Sequence, residues 1–295
     1  MSQEKITPFD LTPPPKPSRA GRNLPAAIAV GVGLFGAVVA TLAWWNWGFI
    51  LLVALALGLG AVELHHAFAR VGARTEIVPI VLGTAATVLG SYYAGQHPAH
   101  DMPSNTLIIG LLALTTLACL VMRLPRGAEG FVRDASASLF TLAYIPLLGS
   151  TVALMLADDD GRQRIITFLV CVIASDTGGY IAGVLFGKHP MAPRVSPKKT
   201  WEGFVGSLTA GMALGAVCTV WLLHAPWFVG ALLGLLLVAF GTAGDLVESM
   251  IKRDVGIKDM SSFLPGHGGV MDRLDSLLVA APVAWFAMFV MVPAL

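Results

Sequence analysis

The chain has few charged residues for its length of 295 residues. Asp, Glu, Lys and Arg together make up 13% of the sequence, against roughly 25% in ordinary globular proteins. Hydrophobic residues make up 56% of it, and the mean hydropathy is +0.75. This composition excludes an ordinary soluble enzyme and indicates an integral membrane protein.

Cysteine is also scarce. The chain has Cys119, Cys171 and Cys218, and each lies inside an apolar stretch without a paired spacing. A disulfide framework or a cysteine metal site would need such a spacing. We therefore interpret the three cysteines as small packing residues.

Long apolar runs, in contrast, are abundant. A helix that crosses a bilayer needs roughly 20 mostly apolar residues. This criterion predicts an all-α, polytopic membrane protein with about nine transmembrane helices. Their predicted ranges are 24–44, 47–64, 77–95, 105–122, 137–156, 165–187, 203–223, 227–249 and 275–292.

Lys and Arg are distributed unevenly between the segments that connect these spans. If the N-terminal segment is cytosolic, 17 of the 19 Lys and Arg residues lie in cytosolic segments, and only Arg162 and Arg164 lie outside. Because positive charges concentrate in cytoplasmic loops, we predict a cytosolic N-terminus and an external C-terminus. The loops 188–202 and 250–274 then lie on the same, cytosolic side.

Residues 1–23 differ in composition from the rest of the chain. They include five prolines and four cations and have little apolar content, so they cannot bury a core of their own. We predict a disordered, Pro-rich cytosolic tail at 1–23, followed by a single transmembrane domain at 24–295.

Several glycines have spacings that suggest different roles. Gly31, Gly33 and Gly36 spell GxGxxG, but they lie inside the first predicted span without a preceding strand, so a dinucleotide site has no structural support. Helix contact is the better interpretation, because small residues let helix backbones approach closely. The same interpretation applies to two sets with a four-residue spacing, Gly179, Gly183 and Gly187, and Ser207, Gly211 and Gly215.

A polar face is predicted at the cytosolic end of the eighth span. Asp245, Glu248, Ser249 and Lys252 follow i, i+3, i+4, i+7 spacing, which places them on one side of a helix. A carboxylate at membrane depth normally faces a cavity, a partner or an ion. A Glu248 to Lys252 ion pair is a purely structural alternative, but it does not account for Asp245.

Carboxylates also open the ninth span, at Asp272 and Asp275. The helix macrodipole alone could favour them there. However, Asp272 is predicted at the same cytosolic depth as Asp245, on the neighbouring helix. Two carboxylates brought together repel unless a cation lies between them, and Mg²⁺ typically takes one or two carboxylates plus substrate phosphates. We therefore predict a divalent metal site at Asp245 and Asp272.

The turn between those spans has the sequence Pro-Gly-His-Gly-Gly at 265–269. Such a turn can expose backbone N–H groups that bind phosphate, although glycines also serve simply to turn a chain. Nearby cations favour phosphate binding, while a cytosolic loop carries some cations in any case. These cations are Lys252, Arg253, Lys258 and Arg273.

A second polar cluster extends over 175–203. Asp176 lies within an apolar helix, where it needs a partner. Ser196, Lys198 and Lys199 lie just before a predicted helix start, where anions are favoured, and Thr200 is a candidate N-cap. Contact with anionic lipid headgroups is an alternative role for the two lysines.

Both clusters resemble the signatures of one enzyme family. Residues 244–276, GDLVESMIKRDVGIKDMSSFLPGHGGVMDRLDS, closely resemble the signature of the bacterial type of phosphatidate cytidylyltransferase, also called CDP-diacylglycerol synthase. Residues 176–203, DTGGYIAGVLFGKHPMAPRVSPKKTWEG, are similar to that family's second motif. A mild departure is Gly179, where many members have Ala. The first third of the chain matches only in its hydropathy.

The resemblance implies transfer of CMP from CTP to phosphatidic acid, giving CDP-diacylglycerol and pyrophosphate for phospholipid biosynthesis. It implies Mg²⁺ bound by Asp245 and Asp272, a monovalent cation such as K⁺, and a homodimer. It also implies a multi-pass protein of the cell inner or plasma membrane, with an active site that faces the cytosol and is formed by 175–203 and 244–276. No nucleic-acid partner is expected.

Roles for the remaining residues follow as hypotheses. The catalytic set would be Asp245, Asp272, Lys252 and Asp259, with Asp259, His267 and the Gly268 to Gly269 backbone orienting the metal and the leaving pyrophosphate. The other residues would bind substrate, namely Asp176, Ser196, Lys198, Lys199, Ser249, Arg253, Lys258, His267, Gly268, Gly269 and Arg273.

Two other functions fit parts of the pattern. A CTP-dependent lipid kinase, such as a polyprenol kinase-like protein, would release CDP rather than pyrophosphate. A transporter with charges at the bilayer midplane is disfavoured, because the polar groups gather at one face of the membrane. A CDP-alcohol phosphotransferase is disfavoured because the chain has no DGxxAR motif.

Overall fold

The computed structural model describes residues 24–97 and 104–292. Side chains are described for the same residues except 24–27 and 104–105. The predicted disordered tail at 1–23 lies outside the described residues.

Helices account for about four fifths of the described chain. Eight helical stretches are long and apolar enough to cross a membrane, and the described apolar part of a further helix, α1, is Ile28–Trp44. Each of the nine predicted spans coincides with helix, so the predicted polytopic all-α class is confirmed. The predicted orientation of the termini stays a prediction. The helices are α1 Leu24–Trp44, α2 Asn46–Arg70, α3 Ile77–Gln96, α4 Ser104–Arg123, α5 Phe131–Leu142, α6 Leu148–Ala157, α7 Gly161–Phe186, α8 Trp201–Leu222, α9 Trp227–Asp254 and α10 Met271–Met291.

The fifth span is interrupted within its length. Between α5 and α6 the backbone forms a π-helix, Ala143–Leu147, with Pro146 inside it. Proline has no N–H and clashes with the carbonyl four residues before it, and a π-turn is one way in which a helix accommodates such a break. The helical segment also begins at Phe131, six residues before the predicted span.

A two-stranded antiparallel sheet, which the sequence analysis did not predict, follows α7. Strand β1 is Pro190–Ala192 and strand β2 is Ser196–Thr200. Pro190 pairs with Thr200, and Ala192 pairs with Ser196. The hairpin leads directly into α8, so its lysines lie on a strand rather than in an irregular loop.

The chain divides into two compact units. The first unit contains the described residues up to Leu89, with Thr106–Leu147 and Lys252–Leu274. The second unit contains Leu148–Ile251, the described parts of Gly90–Asn105, and the chain from Asp275 to residue 292.

In the first unit, a buried ion pair joins α4 to α5. Arg123 Nε lies 2.8 Å from Asp134 Oδ2, and the two side chains are 3% and 4% exposed. Asp134 Oδ1 also accepts a hydrogen bond of 2.9 Å from the backbone N–H of Arg74. A buried carboxylate needs this kind of full pairing, and here it fixes the segment that precedes α3.

In the second unit, glycines let three helices approach backbone to backbone. A Cβ on Gly206 of α8 would lie 2.6 Å from the carbonyl oxygen of Gly178 in α7. A Cβ on Gly230 of α9 would fall on the carbonyl oxygen of Gly215 in α8. Close approach of this kind is typical of small residues in membrane helices. Of the predicted four-residue spacings, Gly211 and Gly215 of α8 make such contacts, with Gly234 and Gly230 of α9.

Candidate active site

A cavity of about 370 Å³ opens in the second unit. Helices α7, α8 and α9 and the hairpin contribute to its wall. Of the predicted site residues, Asp176, Lys198, Lys199 and Asp245 all line it. The structure therefore brings residues of the two sequence motifs together in one concave, polar site, which is the usual form of a substrate site.

Lys199 and Asp245 form an ion pair at the wall of this cavity. Lys199 Nζ lies 2.6 Å from Asp245 Oδ2, and the two side chains are 24% and 32% exposed. Ser249, one turn further along α9, donates a hydrogen bond of 3.2 Å to Asp245 Oδ1. The predicted polar face of α9 thus has its carboxylate oriented by a hydroxyl and an ammonium.

The hairpin that carries Lys198 and Lys199 is fixed to the start of α8. Glu202 Oε2 accepts hydrogen bonds from the backbone N–H groups of Lys188 and His189, at 3.1 and 3.2 Å. Thr200 Oγ1 accepts from the N–H of Gly203 at 3.1 Å, which confirms the predicted N-cap. The lysines are therefore presented by a hairpin held at both ends.

Several cavity residues were not singled out from the sequence, and Ser196, which was, is not among the lining residues. Ser175, Thr242 and Ser276 add polar groups to the wall. Hydroxyl residues are so common in apolar helices that only their neighbours, Asp176 and Asp245, could have drawn attention to them.

The predicted site residues from Lys252 onward belong to the first unit. Asp272 is 7% exposed, and its Oδ2 accepts hydrogen bonds from the N–H groups of Met260 and Gly269 at 2.9 and 2.7 Å. Its Oδ1 lies 2.9 Å from Lys252 Nζ. The first turn of α10 thus carries a carboxylate with one oxygen held by the backbone and the other held by a lysine.

The glycine turn is closed by hydrogen bonds of its own. The N–H groups of His267 and Gly268 donate to the carbonyl of Leu264 at 2.8 and 3.1 Å, and the N–H of Gly269 donates to Asp272. Gly268 has φ +83°, a left-handed conformation that favours glycine. The N–H groups of His267, Gly268 and Gly269 therefore already have acceptors within the protein.

The remaining predicted residues of this unit occupy different surroundings. His267 Nε2 would lie 3.4 Å from a Cβ built on Gly31, so the ring packs against α1. Among the described residues, nothing comes within 4 Å of a Cβ on Gly33 or Gly36. Asp259 lies beside the glycine turn, since its Cβ is 3.6 Å from a Cβ built on Gly268. Arg253, Lys258 and Arg273 are exposed.

Glu63 of α2 is a fully buried carboxylate that the sequence analysis did not assign to the site. Its Oε1 accepts from Ser261 Oγ at 2.6 Å and from the N–H of Val270 at 2.9 Å. Its Oε2 accepts from the N–H of Met271 at 2.7 Å. An acidic residue inside an apolar helix was the available signal.

The carboxylates near the cavity and at the start of α10 are candidate ligands for a metal ion. Within 24–97 and 104–292, no cluster of three or more His, Cys, Asp or Glu side chains has a metal-binding arrangement. Mg²⁺ does not require one, because it commonly takes one or two carboxylates and completes its shell with phosphate and water. Asp245 and Asp272 each offer hard oxygen ligands that already hold a cationic ammonium, so each carboxylate taken by itself fits such an ion.

Comparison with known proteins places the whole described chain in one family. The profile of the Cytidylyltransferase family matches residues 25–291. A phosphatidate cytidylyltransferase of Mycobacterium leprae (strain TN) is 42% identical over 287 residues, which cover 90% of this chain and 88% of the relative. Phosphatidate cytidylyltransferases of Mycobacterium bovis and Mycobacterium tuberculosis (strain CDC 1551 / Oshkosh) are each 38% identical over 281 residues, covering 94% of this chain and 92% and 85% of the relatives. The chain therefore belongs to the cytidylyltransferase family, as the resemblance of its two motifs predicted.

Proposed function

We propose that this protein is a phosphatidate cytidylyltransferase, which converts CTP and phosphatidic acid to CDP-diacylglycerol and pyrophosphate. The observation that carries the proposal is the joint presence of Asp176, Lys198, Lys199 and Asp245 in one cavity, in a chain whose relatives bear that name over nearly their full length. The spanning helices suit a lipid substrate.

The reaction is a displacement at the α-phosphorus of CTP. A phosphate oxygen of phosphatidic acid forms the new P–O bond, the bond from the α-phosphorus to the α,β-bridging oxygen breaks, and pyrophosphate leaves with that electron pair. A phosphate monoester with a second pKa near 6 is largely dianionic at neutral pH, so no strong general base is needed. The site must align two anions and screen their charge.

The two lysines of the cavity can screen the negative charge of the substrates. Lys198 is exposed to the cavity, and Lys199 lies at its wall beside Asp245. Because a lysine is a compact charge on a flexible stem, Lys199 can turn from Asp245 to a phosphate oxygen without moving the hairpin. Ser249 then still donates to Asp245 and keeps that carboxylate oriented.

Asp245 and Asp272 are the residues proposed to hold Mg²⁺. A bound divalent ion would neutralise charge on the triphosphate as pyrophosphate leaves. Backbone donors from Met260 and Gly269 fix one oxygen of Asp272, so its other oxygen, now facing Lys252, is the one available to a cation. A further monovalent cation such as K⁺ and a homodimer are proposed on the family resemblance alone.

We propose that the protein lies in the cell inner or plasma membrane with its site facing the cytosol. The distribution of charge supports this orientation. The segments predicted to be cytosolic contain 17 of the 19 Lys and Arg residues, and such a bias sets the orientation of helical membrane proteins. An accessibility assay with a cysteine introduced at Arg194, in the hairpin turn, tests this placement. Labelling only from the outside of intact cells would contradict it.

The direct test of the activity is the conversion of labelled CTP and phosphatidic acid by purified protein. The expected products are CDP-diacylglycerol and pyrophosphate in equal amounts. Release of CDP with a phosphorylated lipid would instead indicate a CTP-dependent kinase. Uptake of substrate into sealed vesicles without chemical conversion would indicate a transporter.

A further inference from the structure

Glu63 lies on α2, far in sequence from both motifs, yet its carboxylate binds the segment that carries Asp272. The side chain is fully buried, and it accepts the Ser261 hydroxyl and the N–H groups of Val270 and Met271. The first N–H groups of a helix have no partner within the helix. A carboxylate from another helix therefore supplies acceptors for the start of α10.

The hydrogen bonds of Glu63 and Asp272 form one continuous set. Three consecutive N–H groups are shared between them, because Gly269 donates to Asp272 while Val270 and Met271 donate to Glu63. The opposite side of the loop is bound in the same way, since Met260 donates to Asp272 and Ser261 donates to Glu63. The two carboxylates thus hold both ends of residues 260–271.

The backbone of Gly269 packs closely against the Glu63 carboxylate. A Cβ on Gly269 would lie 2.6 Å from Glu63 Oε2, so a larger residue there would force this fully buried carboxylate to shift. One turn before Glu63, a Cβ on Gly60 would lie 3.4 Å from the sulfur of Met271. Glycines on both elements bring α2 and the start of α10 together.

We propose that Glu63 is a positioning residue for the cytidyl transfer, which fixes the backbone that orients Asp272 and through it the cation that Asp272 would bind. This inference rests on the proposed function. It also gives the glycine turn at 265–269 a structural role in place of the predicted phosphate binding. Gly269 is a glycine because it must clear Glu63, and the N–H groups at 269–271 stabilise two carboxylates of the protein rather than a phosphate of the substrate.

The test compares Glu63→Gln with Asp134→Asn as a matched control. Asp134 is also a buried carboxylate of the first unit that accepts a backbone N–H, but it has no bond to the 260–271 segment among its described contacts. Glu63→Gln keeps the size of the side chain and replaces one acceptor by a donor. The measured quantities are the Mg²⁺ concentration for half-maximal activity, the KM for phosphatidic acid, and hydrogen exchange of the peptide 260–275.

We expect Glu63→Gln to raise the half-saturating Mg²⁺ concentration about tenfold, the effect of losing one hydrogen bond to a charged group. Faster exchange at 269–271 should accompany it, while the KM for phosphatidic acid stays within about twofold of the wild-type value. Asp134→Asn should lower the unfolding temperature without changing the Mg²⁺ requirement. An unchanged Mg²⁺ requirement in folded Glu63→Gln, or an equal change in the control, would overturn the proposal.

Ser261→Ala provides a milder variant if Glu63→Gln does not fold. It removes one donor to Glu63 and leaves the carboxylate in place, so a smaller rise in the Mg²⁺ requirement is expected, and none would count against the role of Glu63. Inactive wild-type protein would refute the proposed function instead. Exchange at 269–271 would still report whether Glu63 holds the segment.

Discussion

Lys199 on strand β2 and Asp245 on α9 are joined by an ion pair of 2.6 Å at the wall of the cavity. The same arrangement recurs in the first unit, where Lys252 lies 2.9 Å from Asp272. Each of the two aspartates proposed to bind metal thus has a lysine at its carboxylate. A divalent cation bound at either carboxylate would displace that lysine or share the carboxylate with it, and a displaced ammonium would then be available to a phosphate.

Replacing Lys199 by Met should strongly reduce the activity. The variant keeps the length of the side chain and removes the charge that we propose to bind phosphate, so kcat/KM for CTP should fall on the order of 100-fold, as for other lost electrostatic contacts to a transition state. Lys188→Met removes the same charge from the exposed start of the same hairpin and should keep near-normal activity. Equal losses in the two variants would show that only the net charge of the hairpin matters.

Asp245→Asn should make the activity depend on much higher Mg²⁺. The amide keeps the shape and one acceptor but loses the negative charge, so activity at limiting Mg²⁺ should fall by a factor on the order of 100. Titration with Mg²⁺ after chelation measures this. Asp159→Asn, a change at an exposed residue between α6 and α7, is the control. Near-normal activity of Asp245→Asn at limiting Mg²⁺ would refute the metal assignment.

The two aspartates should differ in their contribution to stability. Asp272 is buried and accepts two backbone N–H groups, whereas the Asp245 side chain is 32% exposed. Asp272→Asn would place an amide N–H₂ near a donor, at a cost of about 1–3 kcal/mol. Thermal unfolding in detergent should therefore show a clearly lower midpoint for Asp272→Asn than for Asp245→Asn. The reverse order would mean that the Asp272 contacts contribute little.

Gly269→Ala should destabilise the protein through the contact with Glu63. The added Cβ would lie 2.6 Å from a carboxylate oxygen that is fully buried, and overpacking of this kind costs about 1–3 kcal/mol. Gly36→Ala adds the same methyl group at a helical position with no described atom within 4 Å of it. The unfolding midpoint should drop for the first variant only, and a stable, fully active Gly269→Ala would argue against the tight contact.

Hydropathy was enough to predict the helices because crossing a bilayer requires long apolar segments. The motifs were enough to select Asp176, Lys198, Lys199 and Asp245, which the structure places at the wall of one cavity. The hairpin was not predictable, since its two short strands contain Pro190 and Pro197 and are stabilised by pairing with each other and by Glu202.

The role of Glu63 could not be predicted for a different reason. Its partners lie 198 to 208 residues further along the chain, and no local pattern records such a contact. His267 is similar, because its neighbour Gly31 belongs to α1. In both cases the partner becomes apparent only when the chain is folded.

The glycine contacts of the second unit also determine how the cavity can change. Helices α7, α8 and α9 approach one another there at carbonyl oxygens of Gly178, Gly211 and Gly215. Rotamer changes cannot widen such contacts, and any larger residue must push whole helices apart. Directed evolution of the cavity should therefore yield few tolerated variants at these glycines, and altered substrate preference should instead arise at lining side chains such as Tyr180 and Leu237.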